Sequence, residues 1–359
     1  EDGMLDQDMY GFAIKSLVRD LHIVSVSDRE RQCLRLSRLV LALGILCASI
    51  GIQLFLLIQT KVFLTSKFVH TIREVYDQFE VQMYGDDPSH MEVTEHGFTR
   101  GLKEFFQPEI FETLEPDFQD RVCVISLSQP KFLGSVLFVW TLTCLANMKR
   151  AIELFVALVL RLPTVGKASA QLRVADRPDA EEEHERNLVE FQNLGFSEMQ
   201  AIGLCAILAK TRKKDREKVV VIAGLTACTK VLVTVLLVMP RLAMSSTILW
   251  LGCRWIAATP DFDELLLNAV GLGFILSLKD LMYHVCVSAQ GKFDIAMTRV
   301  RQSRSRSPAV WIFLGAFLWG LASLLWVLLY MVRLQTILPA YRWDVHQVCQ
   351  KLIQEKYND

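Results

Sequence analysis

Five ionisable residues sit where a membrane would make them consequential: Lys230, Arg254, and the carboxylates Asp261, Asp263 and Glu264. Lys230 is the one charge in the run Val219–Met239, twelve residues from its start and so near mid-bilayer if the run is a single helix. A charge at that depth is costly unless it snorkels, pairs or faces water. Arg254 lies in a shorter apolar run, Ala243–Ala258, which leads into the acidic turn Thr259-Pro260-Asp261-Phe262-Asp263-Glu264. A span, a half-length insert and a second span outline a pore hairpin, with carboxylates ringing a water-filled mouth and Lys230 deeper as gate or counter-charge. The same residues also suit an ordinary folded-back bundle. Lys230 would then bond neighbouring carbonyls or Glu153, and Asp261 or Asp263 would cap the next helix with Glu264 in its first turn.

No constellation for catalysis accompanies them. The chain has no Cys-x-x-Cys, His-Glu-x-x-His, phosphate-cradling glycine loop or nucleophile elbow. Its seven histidines are scattered, and an enzyme acting on lipid or prenyl substrates would need aspartate or histidine motifs that are not there. The chain is therefore expected not to be an enzyme and to carry no cofactor or metal. Asp86, Asp87, His90, Glu92, Glu95 and His96 lack the ligand spacing of a calcium loop and read as a solvated acidic face. Lys210, Arg212, Lys213, Lys214, Arg216 and Lys218 form a patch suited to anionic lipid head groups, so bound lipids are expected.

The elements that must position these groups are apolar helices. A bilayer core needs roughly 20 apolar residues per crossing, and Leu39–Thr60 and Val310–Val332 supply that length without one charge. Phe132–Met148, Val219–Met239 and Leu265–Leu278 are the other candidates. In lipid the backbone must bond to itself, which makes such runs helical. Arg29, Arg31, Arg35 and Arg38 before the first run place the N-terminus inside. Residues 62–130 carry five basic against thirteen acidic residues and belong outside. Basic residues at Lys149, Arg150, Lys210–Lys218 and Arg299–Arg306 return the chain to the inner side, so 219–298 must cross an even number of times. Five spans with an outside C-terminus, Ala243–Ala258 dipping in and returning, is the simplest solution; six spans is its rival. Of nine cysteines, only Cys123 and Cys349 then lie outside and away from apolar runs, which suggests a disulfide between them.

The expected fold is all-α: a polytopic membrane helix bundle of five full spans plus one re-entrant or interfacial half-helix, with a small exterior cap domain. Residues 1–36 are an inner amphipathic helix and basic lead-in, lying on the membrane or packed on the spans. Residues 37–61 form the first span, 62–130 the acidic cap, and 131–161 the second span with an inner extension. A basic inner loop with helices occupies 162–218, and 219–285 the span, half-helix and span. A second basic loop, 286–308, precedes the fifth span, 309–333, and an exterior tail, 334–359. Gly315, Ala316, Gly320 and Ala322 on the last span permit close helix contact.

The stretches LWLGCRWIAATPDFDELLLNAVGLGFILSLKDLMY, VYDQFEVQMYG and LPAYRWDVHQVC resemble segments of multi-span membrane proteins from dinoflagellate algae. The resemblance extends loosely over most of the chain and implies no activity, ligand or site residue. Two functions follow from the residues themselves. One is an ion channel or transport subunit, homo-oligomeric, with its path built from Val219–Tyr283. The other is a non-catalytic structural or accessory subunit that meets other membrane subunits. Both place the protein integral to a membrane, in an organelle or at the cell surface, among lipids and without nucleic acid; net charge is zero.

Overall fold

The computed structural model describes the chain apart from residues 1–2, 5–6, 25–28, 86, 95–96, 167–170, 177–217, 302–308, 339–340 and 358–359. In chain order its elements are β1 (Gly3–Met4), α1 (Met9–Val24) and α2 (Arg29–Gln59), the last running through a π-helical turn into α3 (Ser66–Tyr84). The hairpin β2 (Met91–Val93) and β3 (Thr99–Gly101) follows, then α4 (Pro108–Glu112), α5 (Pro116–Val124) and α6 (Pro130–Phe155). Next come β4 (Leu172–Asp176), β5 (Lys218–Ile222), α7 (Ala227–Val233), α8 (Met239–Ala257) and α9 (Phe262–Cys286). The chain closes with α10 (Ala289–Ala296), β6 (Thr298–Val300), α11 (Ala309–Leu329) and α12 (Asp344–Tyr357).

Four helices are long and apolar enough to cross a membrane among the described residues: Leu36–Tyr84, Ala227–Ala257, Glu264–Cys286 and Leu314–Leu334. In the first, the uncharged portion is Leu39–Thr60, itself long enough for one crossing; Lys61 onward carries Lys67, Arg73, Glu74, Asp77 and Glu80. These helices turn large apolar side chains outward, such as Phe55, Val270, Phe317 and Val332, as lipid-facing surfaces do.

Ala227–Ala257 corrects the expectation of a half-length insert. Pro240 and Arg241 interrupt the apolar run and read as a break, yet α7 continues into α8 through a π turn, Thr234–Val238. There the Met239 N–H donates to the Thr234 carbonyl, five residues back, and this shifted register accommodates a proline that has no N–H of its own. Ala243–Ala257 is the second half of one helix rather than a separate half-length one. The start of the preceding span is corrected too. Lys218–Ile222 is a strand, because Val219, Val220 and Val221 are β-branched and pair on both edges.

The chain divides into two compact units. The first comprises residues 1–47, 152–239 and 279–305. It holds a four-stranded sheet in the order β1-β6-β5-β4, with β5 and β6 parallel and the outer pairs antiparallel. The fold is thus mostly helical with a little sheet, where an all-α fold was expected. The strands escape a helix-period reading because three come from separate loops and β1 has two residues. α1 buries Met9, Ala13, Ile14, Leu17 and Val18 against α7, the π turn after it, and α10. Its amphipathic face is thus filled by protein, the second of the two placements its spacing allowed. The helices expected after Asp179 lie outside the described residues.

The second unit comprises residues 48–151, 240–278 and 306–359. One apolar core runs through it from Leu57 and Tyr76 through Leu137, Trp140 and Ile256 to Val348. Gly252 makes a close crossing possible: a Cβ there would lie 2.4 Å from Trp140 Nε1. Around α3 gather the β2–β3 hairpin, α5 and α12, which packs on α4 and α5. Cys123 of α5 and Cys349 of α12 form a disulfide, with their Cα atoms 5.3 Å apart.

Candidate functional site

Lys230 belongs to the first unit and stands in the first turn of α7, far from the middle of its helix. Thr226 caps this helix, its Oγ1 accepting from the Thr229 N–H. The Lys230 ammonium donates to the Val159 carbonyl at 2.8 Å and the Leu162 carbonyl at 2.7 Å. Both acceptors belong to the end of the helix that α6 and its π-helical continuation Val156–Arg161 make. Carbonyls at a helix C-terminus lack intrahelical donors and carry partial negative charge. Lys230 is thus a C-terminal clamp on the α6 helix.

Arg254, Asp261, Asp263 and Glu264 belong to the second unit. The acidic turn is the bend between α8 and α9. The Asp261 carbonyl accepts the Leu265 N–H at 3.1 Å, which starts α9. Thr259 Oγ1 donates to the Trp255 carbonyl and accepts from Asn268 Nδ2 at 3.0 Å, closing the bend. Asp261 and Glu264 are exposed, and Asp263 is in the first turn of α9. Arg254, in the last turn of α8, lines a groove of about 1190 Å³ along one face of the helix from Lys61 to Gln82. Its Nε is buried without a hydrogen-bond partner among the described residues. The groove mixes signs: Lys61, Arg73 and Arg254 face Glu74 and Asp77. Lys210, Arg212, Lys213, Lys214 and Arg216 lie outside the described residues, and Lys218 opens β5.

A denser polar constellation lies in the second unit, at residues that sequence reasoning passed over. Glu80 and Arg100 are 3% and 2% exposed, and Asp344 is 5%. Glu80 Oε2 accepts the Gly101 N–H at 2.7 Å. Tyr76 and Tyr84 donate their hydroxyls to Asp344, Tyr76 at 3.2 Å to Oδ1, while Asp344 Oδ1 also accepts the Val345 N–H at 2.9 Å. Arg100 stacks on the Tyr76 ring at 4.7 Å and reaches Asp77 at 3.1 Å. Arg342 pairs with Glu92 at 2.9 Å and donates to the Gly101 carbonyl. Desolvation by burial raises the carboxyls of both Glu80 and Asp344 above their ordinary range. The hydrogen bonds from Gly101 to Glu80 and from Val345 to Asp344 pull the other way.

The group joins α3, the β2–β3 hairpin and α12 into one sealed polar joint. Together with the Cys123–Cys349 disulfide it fixes α12 to the rest of the second unit. A signal was present in the sequence: Glu80 interrupts the apolar face of Ile72, Tyr76, Phe79 and Met83. A carboxylate at that spacing needs buried partners, but the partners come from distant segments that one helix's periodicity cannot name. Of the acidic candidates near this hairpin, Asp87 Oδ1 accepts from Ser89 N and Oγ in a local turn, and Glu92 pairs with Arg342; Asp86, Glu95 and His96 lie outside the described residues.

Comparison with known proteins finds no matching family model, no matching curated sequence and no matching solved structure.

Proposed function

We infer that the protein is a non-catalytic structural or accessory subunit of a membrane assembly that presents a rigid, disulfide-closed exterior cap. In this reading the chain crosses five times. The fifth crossing is α6, whose Phe132–Met148 stretch carries no charge, and the C-terminus lies outside with Cys123 and Cys349. The observation that carries the reading is the continuity of Ala227–Ala257. A pore hairpin needs a half-length element between two spans, and this chain offers two full-length helices joined by a capped bend. Lys230, the residue best suited to gate a path, is engaged by two carbonyls. α11 supports a role beside other chains. Among the described residues, only 17% of its most apolar window is buried within the chain, and nothing lies within 4 Å of a Cβ built at Gly315 or Gly320.

Ion flux into proteoliposomes holding the purified chain tests the reading. Flux equal to that of empty vesicles is the expected result. A conductance that falls in an Asp261→Asn, Glu264→Gln double variant would replace it with a channel whose path forms between copies of the chain.

A further inference from the structure

The first unit contains a cavity of about 310 Å³ that the cap-presenting reading does not use. Three cations and one carboxylate line it: Lys15 and Arg19 of α1, Arg38 of α2, and Asp294 of α10. Asp294 Oδ2 accepts from Lys15 at 2.9 Å and from Arg19 at 3.0 Å. Arg38 has no hydrogen-bond or ion-pair partner among the described residues. The cavity therefore carries a net charge of +2 from these four side chains.

Two further features point the same way. Ser16 lines the cavity and is 6% exposed, so its hydroxyl is one more polar group on this wall. Ser288 and Gln290, at the start of α10, also line the cavity, and Ser288 Oγ accepts only the Gly291 N–H there at 3.2 Å. A helix N-terminus adds positive potential.

The wall beside these polar groups is apolar. Leu41 and Ile45 of α2 line the cavity, and Leu41 is 62% exposed. Arg38 stands just before the uncharged run Leu39–Thr60, where head groups meet hydrocarbon. We propose that this cavity binds the phosphate head group of an anionic membrane lipid, with Lys15, Arg19, Arg38 and Ser16 as donors and an acyl chain along Leu41 and Ile45. The apolar wall selects a lipid over free phosphate, and the volume suits a small head group. The proposal rests on the membrane reading and is independent of whether the chain conducts ions.

Binding of dioctanoyl phosphatidic acid to the full chain in neutral detergent tests it, with dioctanoyl phosphatidylcholine and inorganic phosphate as the other arms. Phosphatidic acid is expected to bind tighter than either. Each positive charge near a phosphate is worth about fivefold in affinity, so Arg38→Gln and Arg19→Gln should each weaken binding about 5-fold and their combination roughly 25-fold. Asp294→Asn should strengthen it about 5-fold, a gain that a purely structural ion pair would not produce. Arg38 is exposed and unpaired, so its variant should fold as the wild type does. Equal affinity for phosphatidylcholine would overturn the proposal, as would unchanged binding in a folded Arg38→Gln protein. Inorganic phosphate binding as tightly as the lipid would overturn the lipid as its source.

Discussion

Replacing Lys230 with methionine isolates the clamp that separates a structural lysine from a gating one. Methionine keeps much of the aliphatic stem and deletes the ammonium, so the apolar contacts stay close to native. Two charge-assisted bonds are lost, at 2.8 Å to Val159 O and 2.7 Å to Leu162 O. Such bonds contribute about 1.5–3 kcal/mol each. Part of that is offset because the half-buried ammonium no longer has to be desolvated. Leu162, 2% exposed, leaves a carbonyl with little access to water. A net loss of about 3 kcal/mol follows, or roughly 6–10 °C in unfolding temperature for a unit of this size. The assay is thermal unfolding of the purified chain in detergent, followed by tryptophan fluorescence, with Lys230→Arg as a partial rescue. A Lys230→Met protein that unfolds within about 1 °C of wild type would refute the clamp.

Three other outcomes follow from the second unit. Gly252→Ala should destabilise by about 1–3 kcal/mol, since the new methyl would meet the Trp140 indole at 2.4 Å, and thermal unfolding reads it. Cys349→Ser should lower stability by about 2–4 kcal/mol and expose α12 to limited proteolysis; a tail that stays as resistant as wild type would show that the polar joint alone holds it. Burial raises the Glu80 and Asp344 carboxyls in the folded state, so the fold retains their protons longer than the unfolded chain does. Their contribution to stability is therefore full below the unfolded range near pH 4 and declines as pH rises through the folded values. Unfolding temperature measured across that range should fall less with rising pH in Glu80→Gln than in wild type, and parallel profiles would contradict the burial argument.

How far the sequence could be read depended on the range over which each signal acts. Uncharged runs such as Leu39–Thr60 report themselves, because bilayer thickness sets their length, and Cys123 and Cys349 emerged as a pair from where the charges fall. Ala243–Ala258 misled because Pro240 and Arg241 resemble a helix break, and only a π turn, invisible to periodicity, carries the helix through them. The four-stranded sheet was hidden for a different reason. β5 reads as the start of an apolar helix, and its partners β4 and β6 are 46 residues before and 80 residues after it in order of first residue. The Glu80–Arg100–Asp344 joint depends on three segments meeting, so the sequence marks Glu80 as out of place and leaves its partners unspecified. Lys230 shows the same limit: its residue type signalled a buried charge, and its two acceptors, backbone carbonyls, have no signature in side-chain pattern.

Depth measurement along Ala227–Ala257 tests most directly whether this chain lacks a half-length insert. Single spin labels at successive exposed positions, from Val231 and Val235 through Met239 and Ala243 to Trp250, report immersion in a reconstituted bilayer through collisions with oxygen and a polar nickel complex. One continuous crossing predicts a single maximum of depth near the middle of the helix and shallow values at both ends, on opposite sides of the membrane. Two maxima, or labels near Val231 and Trp250 reached by the nickel complex from the same side, would contradict it and restore the re-entrant hairpin.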